Sequence, residues 1–182
     1  MQQIFCDLVD GLEYLHSLRI AHRDLKIDNF ILCSLKGETE RLPVVAKWID
    51  FNSAKKMPEA EVLCYDTEGT LNFCAPEEIF GVNDGYDVFK ADIWGLGCVL
   101  YDLFFDKLAF DIPGPDRFNT EMELNMKIQK TEPDFTGGPS GSILWQQAVD
   151  LMKKLLQKDP HSRPTLPEIK IHPFVKKTDQ PN

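Results

Sequence analysis

Apolar residues recur at helical spacing in Ile4, Leu8, Leu12 and Leu15, so residues 2–17 read as an amphipathic helix. Two short apolar runs follow at 30–33 and 44–49. The stretch that joins them, 34–43, is polar and contains Gly37, the pattern of a hairpin with a long loop. Residues 52–76 are polar and irregular. Positions 91–104 (Ala91, Ile93, Trp94, Leu96, Val99, Leu100, Leu103, Phe104) are apolar almost all round, which predicts a helix buried on every side. Pro113, Gly114 and Pro115 assign 111–118 to loop. Thr120 with Glu123 has capping-box spacing and predicts a helix opening at Thr120 and running to about Lys130. Gly137, Gly138 and Pro139 then break the chain. Ile143, Leu144, Ala148, Leu151, Met152, Leu155 and Leu156 form a further helical stripe, and a last short helix near 166–171 stops before Pro173. The expected fold is mainly α with one small β-hairpin, in one domain over residues 1–175 with a frayed tail over 176–182.

Composition narrows the function classes. The 182 residues carry 20 Lys+Arg against 29 Asp+Glu, a formal charge of −9. A phosphate-backbone or anionic-membrane binder needs a basic face, so neither nucleic acid nor membrane is an expected partner. The apolar run at 93–101 is about half the ~20 residues of a spanning helix. The five cysteines show no zinc-type spacing, which fits a reduced cytoplasmic or nuclear setting.

Chemistry concentrates in 22–29, His-Arg-Asp-Leu-Lys-Ile-Asp-Asn, between the first helix and the first strand. Asp50 follows at the end of the second strand. Magnesium takes hard oxygen donors, and one carboxylate with one amide oxygen leaves room for phosphates and water. Asn29 and Asp50 suit that task if the hairpin brings them together. Asp24 would orient a hydroxyl and accept its proton, and Lys26 would balance charge on a transferred phosphoryl group. An ordinary Asp titrates near ~3.9, so positioning would be most of its contribution.

These residues resemble the catalytic loop of eukaryotic protein kinases. Asp50-Phe51-Asn52 stands where that family has Asp-Phe-Gly, and Ala75-Pro76-Glu77 matches the motif closing its activation segment. The run at 92–97 (Asp-Ile-Trp-Gly-Leu-Gly) matches its buried helix, and Arg163 sits where the partner of Glu77 belongs. Five motifs in family order span essentially the whole chain. Lys26 and Gly69-Thr70 are similar to serine/threonine rather than tyrosine kinases. The resemblance implies a protein-kinase-like larger (C-terminal) lobe, ATP and Mg2+ as cofactors, and protein substrates. It implies Asp24 as base, Lys26 as the γ-phosphate contact, and Asn29 and Asp50 as metal ligands. Thr70 would bond Asp24 and Lys26, and Phe30, Ile31 and Leu32 would lie beneath adenine. His22 and Phe51 would stack in the regulatory spine, Asp92 would hold the catalytic loop by its N–H groups, and Glu77 would pair with Arg163.

Several departures carry expectations of their own. Asn52 replaces glycine, and Asn tolerates a left-handed backbone better than other side chains, so the metal loop is expected to survive. Arg23 marks a kinase switched by activation-segment phosphorylation, and the usual phosphothreonine position holds Asp66, which would imitate the phosphate in part. Thr67 is the alternative phosphosite. Asp28 and Asp102 would face basic residues N-terminal to the phosphoacceptor. His161 and His172 read as loop or cap residues, and Met122 and Met126 as packing or docking surface.

The 182 residues contain no Gly-rich phosphate loop and no strand lysine to grip the α- and β-phosphates. The pair Gly95, Gly97 lacks the third glycine and the preceding strand of a dinucleotide fingerprint. The expectation is therefore a catalytic lobe without its smaller partner lobe, weak in ATP binding and slow in transfer, from a truncated gene model or a short isoform. A non-catalytic regulatory or binding fragment is the alternative. A small-molecule phosphotransferase shares the Asp-x4-Asn logic but not the motifs at 75–77, 92–97 and 163.

Overall fold

The computed structural model describes residues 1–34, 44–81, 83–111, 117–137, 139 and 141–176. The expected loops at 34–43 and 111–118 and the tail over 176–182 lie largely outside these residues. Among the described residues six α-helices run in order: α1 (Gln2–Ser17), α2 (Pro76–Phe80), α3 (Val88–Phe105), α4 (Arg117–Lys130), α5 (Ile143–Leu155) and α6 (Leu166–Ile171). About half of the chain is helical, and the strands form small antiparallel pairs.

Helix α3 is the axis of the molecule. It is buried at every position from 91 to 101, which is why its sequence shows no polar face. Asp87 caps its start, accepting the N–H groups of Phe89 (3.0 Å) and Lys90 (3.2 Å). Gly97 lets α5 approach closely: a Cβ there would stand 2.8 Å from Leu155 Cβ and 2.9 Å from Leu156 Cδ2. Ala148, Leu151, Met152 and Leu155 form the buried face of α5. Ile143 and Leu144, expected on that stripe, are exposed. In α1 the buried face is Phe5, Leu8, Val9 and Leu12, turned slightly from the expected Ile4–Leu15 line.

The hairpin pairs β2 (Phe30–Ser34) with β3 (Val44–Trp48) in the register Phe30↔Trp48. Trp48 anchors it to α1 by donating its indole N–H to Leu8 O at 2.9 Å. Two further pairs were absent from the sequence expectation: β1 (Ile20–Ala21) with β4 (Lys55–Lys56), and β5 (Leu63–Cys64) with β6 (Tyr86–Asp87). Two-residue strands carry no alternation to read. The expected start of α4 at Thr120 is also corrected, because the helix already runs from Arg117 and Thr120 lies inside it. A hydroxyl three residues before Glu is a cap only where the chain enters a helix.

No described helix is long and apolar enough to cross a membrane. None of the five cysteines forms a disulfide.

Candidate active site

The loop after β1 is suspended from α3 by one carboxylate. Asp92 Oδ1 accepts the Arg23 N–H and Oδ2 accepts the His22 N–H, each at 2.8 Å. His16 Nε2 reaches the same Oδ2 at 2.8 Å, a support with no local sequence signature. Arg23 sits in the left-handed region (φ 69°), a conformation that costs an L-residue with a Cβ about 1–2 kcal/mol. The paired Asp92 bonds hold it there.

Asp24 is then surrounded by donors. Lys26 Nζ lies 2.8 Å from its Oδ2, Thr70 Oγ donates to its Oδ1 at 2.9 Å, and Asn29 Nδ2 donates to its Oδ2 at 2.7 Å. Lys26 also donates to Thr70 Oγ at 2.7 Å. Burial alone would raise the Asp24 pKa, but the bonds from Lys26, Thr70 and Asn29 outweigh it and hold the carboxyl below its ordinary value. The close approach of Thr70 needs Gly69, whose φ is 94°; a Cβ there would collide with Arg23 O.

Asn29 also donates to Asp24 O at 2.8 Å, which commits the amide nitrogen and leaves its oxygen as the acceptor. Its own carbonyl accepts Ile49 N–H at 2.9 Å. This bond extends the hairpin register by one pair and places Asn29 beside Ile49, the residue before Asp50. One carboxylate and one amide oxygen form a donor set that fits Mg2+ sharing its shell with phosphates. No group of three or more His, Cys, Asp or Glu among the described residues offers an all-protein metal cage.

Asp50 itself takes the left-handed backbone (φ 59°), while Asn52 does not. The expectation placed that demand on Asn52; the turn instead makes it one residue before Phe51. Asn52 N–H donates back to Asp50 Oδ1 at 3.3 Å, an Asx-type turn that an asparagine backbone satisfies as well as glycine does. Phe51 meets His22 in a tilted ring contact, with centroids 5.2 Å apart. His22 is fully buried, and burial lowers its pKa despite Asp92. Phe30 is half-buried and edge-on to Trp48, while Ile31 and Leu32 stay exposed.

Asp66 lies under Arg23. Arg23 Nη2 approaches Asp66 Oδ2 at 3.1 Å and Lys55 Nζ approaches Oδ1 at 2.7 Å. The Cys64 thiol donates to Oδ1 at 2.8 Å and Tyr86 donates its hydroxyl to Asp66 O at 2.9 Å. The thiol, Lys55 and Arg23 hold this carboxyl well below the usual range. Sequence reading found Asp66 and Arg23 but neither Lys55 nor Tyr86, which arrive through the two-residue strand pairs. Thr67 is exposed and donates to Glu78 O at 2.8 Å.

Farther from the site, Arg163 meets Glu77 through two bonds of 2.5 and 2.7 Å. Its remaining N–H groups reach the carbonyls of Gln157, Lys90 and Lys158. Asp28 and Asp102 lie close enough that Asp28, after burial and Asp106, helps to raise the Asp102 pKa. His172 is buried against Asp150 (2.8 Å), whereas His161 lies exposed in a turn. Met122 and Met126 are both exposed on α4.

A family model for the protein kinase domain matches residues 1–175. The chain belongs to the protein kinase family. It is similar to the serine/threonine-protein kinase par-4 of Caenorhabditis elegans, 33% identical over 180 residues, 96% of this chain and 26% of that protein. Serine/threonine-protein kinase TOS3 of Saccharomyces cerevisiae (strain ATCC 204508 / S288c) is 34% identical over 181 residues, 96% of this chain and 32% of that protein. Ribosomal protein S6 kinase alpha-2 of Homo sapiens is 34% identical over 172 residues, 94% of this chain and 22% of that protein. The chain thus spans roughly a quarter to a third of these relatives' lengths.

Proposed function

We propose that this chain is the larger, mostly helical lobe of a serine/threonine protein kinase, and that residues 22–29, 50 and 70 transfer the γ-phosphate of ATP to protein hydroxyls. The observation that carries this reading is the closed set of bonds among Asp24, Lys26, Thr70 and Asn29. Asp24, kept ionised by those donors, orients the acceptor hydroxyl and takes its proton. Lys26 holds its positive charge beside the transferred group, and Thr70 fixes both side chains. Asn29 and Asp50 would hold Mg2+, which when bound neutralises charge on the phosphate oxygens. Ile31 and Leu32 offer apolar surface to the adenine. Asp28 and Asp102 favour a substrate with basic residues before the acceptor, and a peptide array indifferent to Arg and Lys there would remove that preference.

The test is ATP binding to the 182-residue chain with and without Mg2+, followed by thermal shift. Weak binding that needs Mg2+ is expected; Asp50→Asn abolishes the Mg2+ dependence, while Asp24→Asn retains it. Binding of ATP that ignores Mg2+, or none at all, refutes the site and favours a non-catalytic binding role. In the isolated 182-residue chain, whose sequence holds no Gly-rich loop and no strand lysine for the α- and β-phosphates, transfer to a serine peptide is expected to be slow. Robust transfer by the chain alone would overturn that expectation.

A further inference from the structure

Arg23 is 8% exposed, and its Nε–H finds no hydrogen-bond partner although Nη2 is committed to Asp66. A buried guanidinium N–H left unmade is costly, and such groups normally meet protein or water. Arg23 lines a cavity of about 10 Å³ together with Asp24, Thr70, Cys74, Glu78 and Asp92. That is room for one water molecule, and the lining is polar enough to hold it. Across the cavity Glu78 is 4% exposed, with one carboxyl oxygen accepting Ala75 N–H at 2.7 Å. This bond caps α2. It leaves unexplained why a carboxyl is buried so near Asp92.

We propose that Glu78 is a positioning residue for the catalytic loop: through a single buried water in this cavity it steadies the inner edge of the Arg23 guanidinium, whose outer edge Asp66 holds. Arg23 is thereby gripped from two sides, by residues before and after the segment that leads to Thr70. The strut deepens the proposed function and rests on it for its catalytic meaning; its existence does not depend on phosphotransfer.

Burial pushes Glu78 up to about 8 against the pull of the Ala75 N–H; Asp92 and Glu77 add to the rise and Arg23 opposes it. The groups facing it are Arg23 and Asp24 from the catalytic loop, Cys74 before α2, Tyr86 from β6, and Asp92 and Cys98 from α3, with Glu77 on its own helix. At neutral pH the uncharged carboxyl leaves the charge of Arg23 to Asp66. Once ionised, Glu78 competes for the same cation and loosens the hold on Asp66.

The folded value lies above the ordinary 4.5, so between 4.5 and about 8 the folded chain binds one proton more than the unfolded chain. Stability from this group therefore falls as pH rises through that window, and is level above it. Glu78→Gln keeps an acceptor for Ala75 N–H and cannot titrate. Relative to that variant, the folding constant of the wild-type chain should fall about tenfold per pH unit between about 5 and 7.5. Parallel curves would overturn the proposal. If the variant does not fold, NMR of isotope-labelled glutamate carboxyls in the wild-type chain decides. One carboxyl is expected to titrate near neutrality, and the Arg23 Nε–H signal, slow to exchange, to shift at the same midpoint. All glutamates titrating below about 5 would overturn the strut. Neither readout needs ATP, so a failed strut and a failed kinase reading give different results.

Discussion

The Asp66 carboxylate lies 3.1 Å from the Arg23 guanidinium, its partner 43 residues earlier in the chain. Lys55 closes on its other oxygen at 2.7 Å. Two cations thus converge on one carboxylate. The segment between β4 and α2 is held against the loop at 22–29 by these bonds.

Asp66→Ala should release that segment. Limited proteolysis within residues 57–75 is expected to run several-fold faster, with Asp66→Glu intermediate. The pH sense follows from the lowered pKa. The folded value lies below the ordinary 3.8, so the stabilisation is fully present above 3.8 and is lost as pH falls through the folded value. An acid titration in which Asp66→Ala and the wild type protect the segment equally at pH 7 would sink the clamp.

Glu77 and Arg163 form a pair whose arginine side chain is fully buried. Arg163→Ala strands a carboxylate and Glu77→Ala strands a guanidinium; each is expected to cost about 3–5 kcal/mol. Urea denaturation measures both, and the double variant should cost clearly less than the sum. Simple additivity would mean the two side chains do not act as a pair.

Gly97→Ala puts a methyl 2.8 Å from Leu155 Cβ. Overpacking of this kind costs roughly 1–3 kcal/mol, of which helix propensity returns about 1. Gly95→Ala, 3.2 Å from Leu25 Cβ, should be nearly neutral. Denaturation midpoints in the reverse order would show that α5 can shift away from α3.

Lys158 Nζ is buried without a hydrogen bond, over the rings of Phe110 (4.3 Å) and Trp94 (4.8 Å). Burial lowers its pKa from 10.5 to about 8. Between those values the unfolded chain holds the extra proton, so stability should rise with pH across that window. Lys158→Met should remove the rise. A slope unchanged by the substitution would place the titrating group elsewhere.

The sequence made the long elements legible because their periodicity is set by burial. Helix α3 reads as apolar all round since it is enclosed all round, and the β2–β3 pairing shows in its two apolar runs. The acids at 24 and 50 and the amide at 29 show in the sequence through their spacing, whereas the bond from Ile49 N–H to Asn29 O that extends the hairpin beside them does not. Lys55, Tyr86, His16 and Glu78 escaped notice for a common reason. Each acts through a long-range contact made by a very short strand, a turn or a helix end, where no repeat exists to mark it. Glu78 alone left a trace, a glutamate three residues after Ala75 with Pro76 opening the helix, which is the spacing of an N-terminal cap.

Asp92 binds the amides of His22 and Arg23 from the second turn of the most enclosed helix, where it is itself buried. Loop amides usually trade their hydrogens with solvent through small local openings, whereas those of central helices wait for the entire core to come apart. These two belong to the second kind. The loop at 22–29 should consequently borrow the lifetime of the protein's interior, and deuterium incorporation at His22 and Arg23 is expected to keep time with global unfolding.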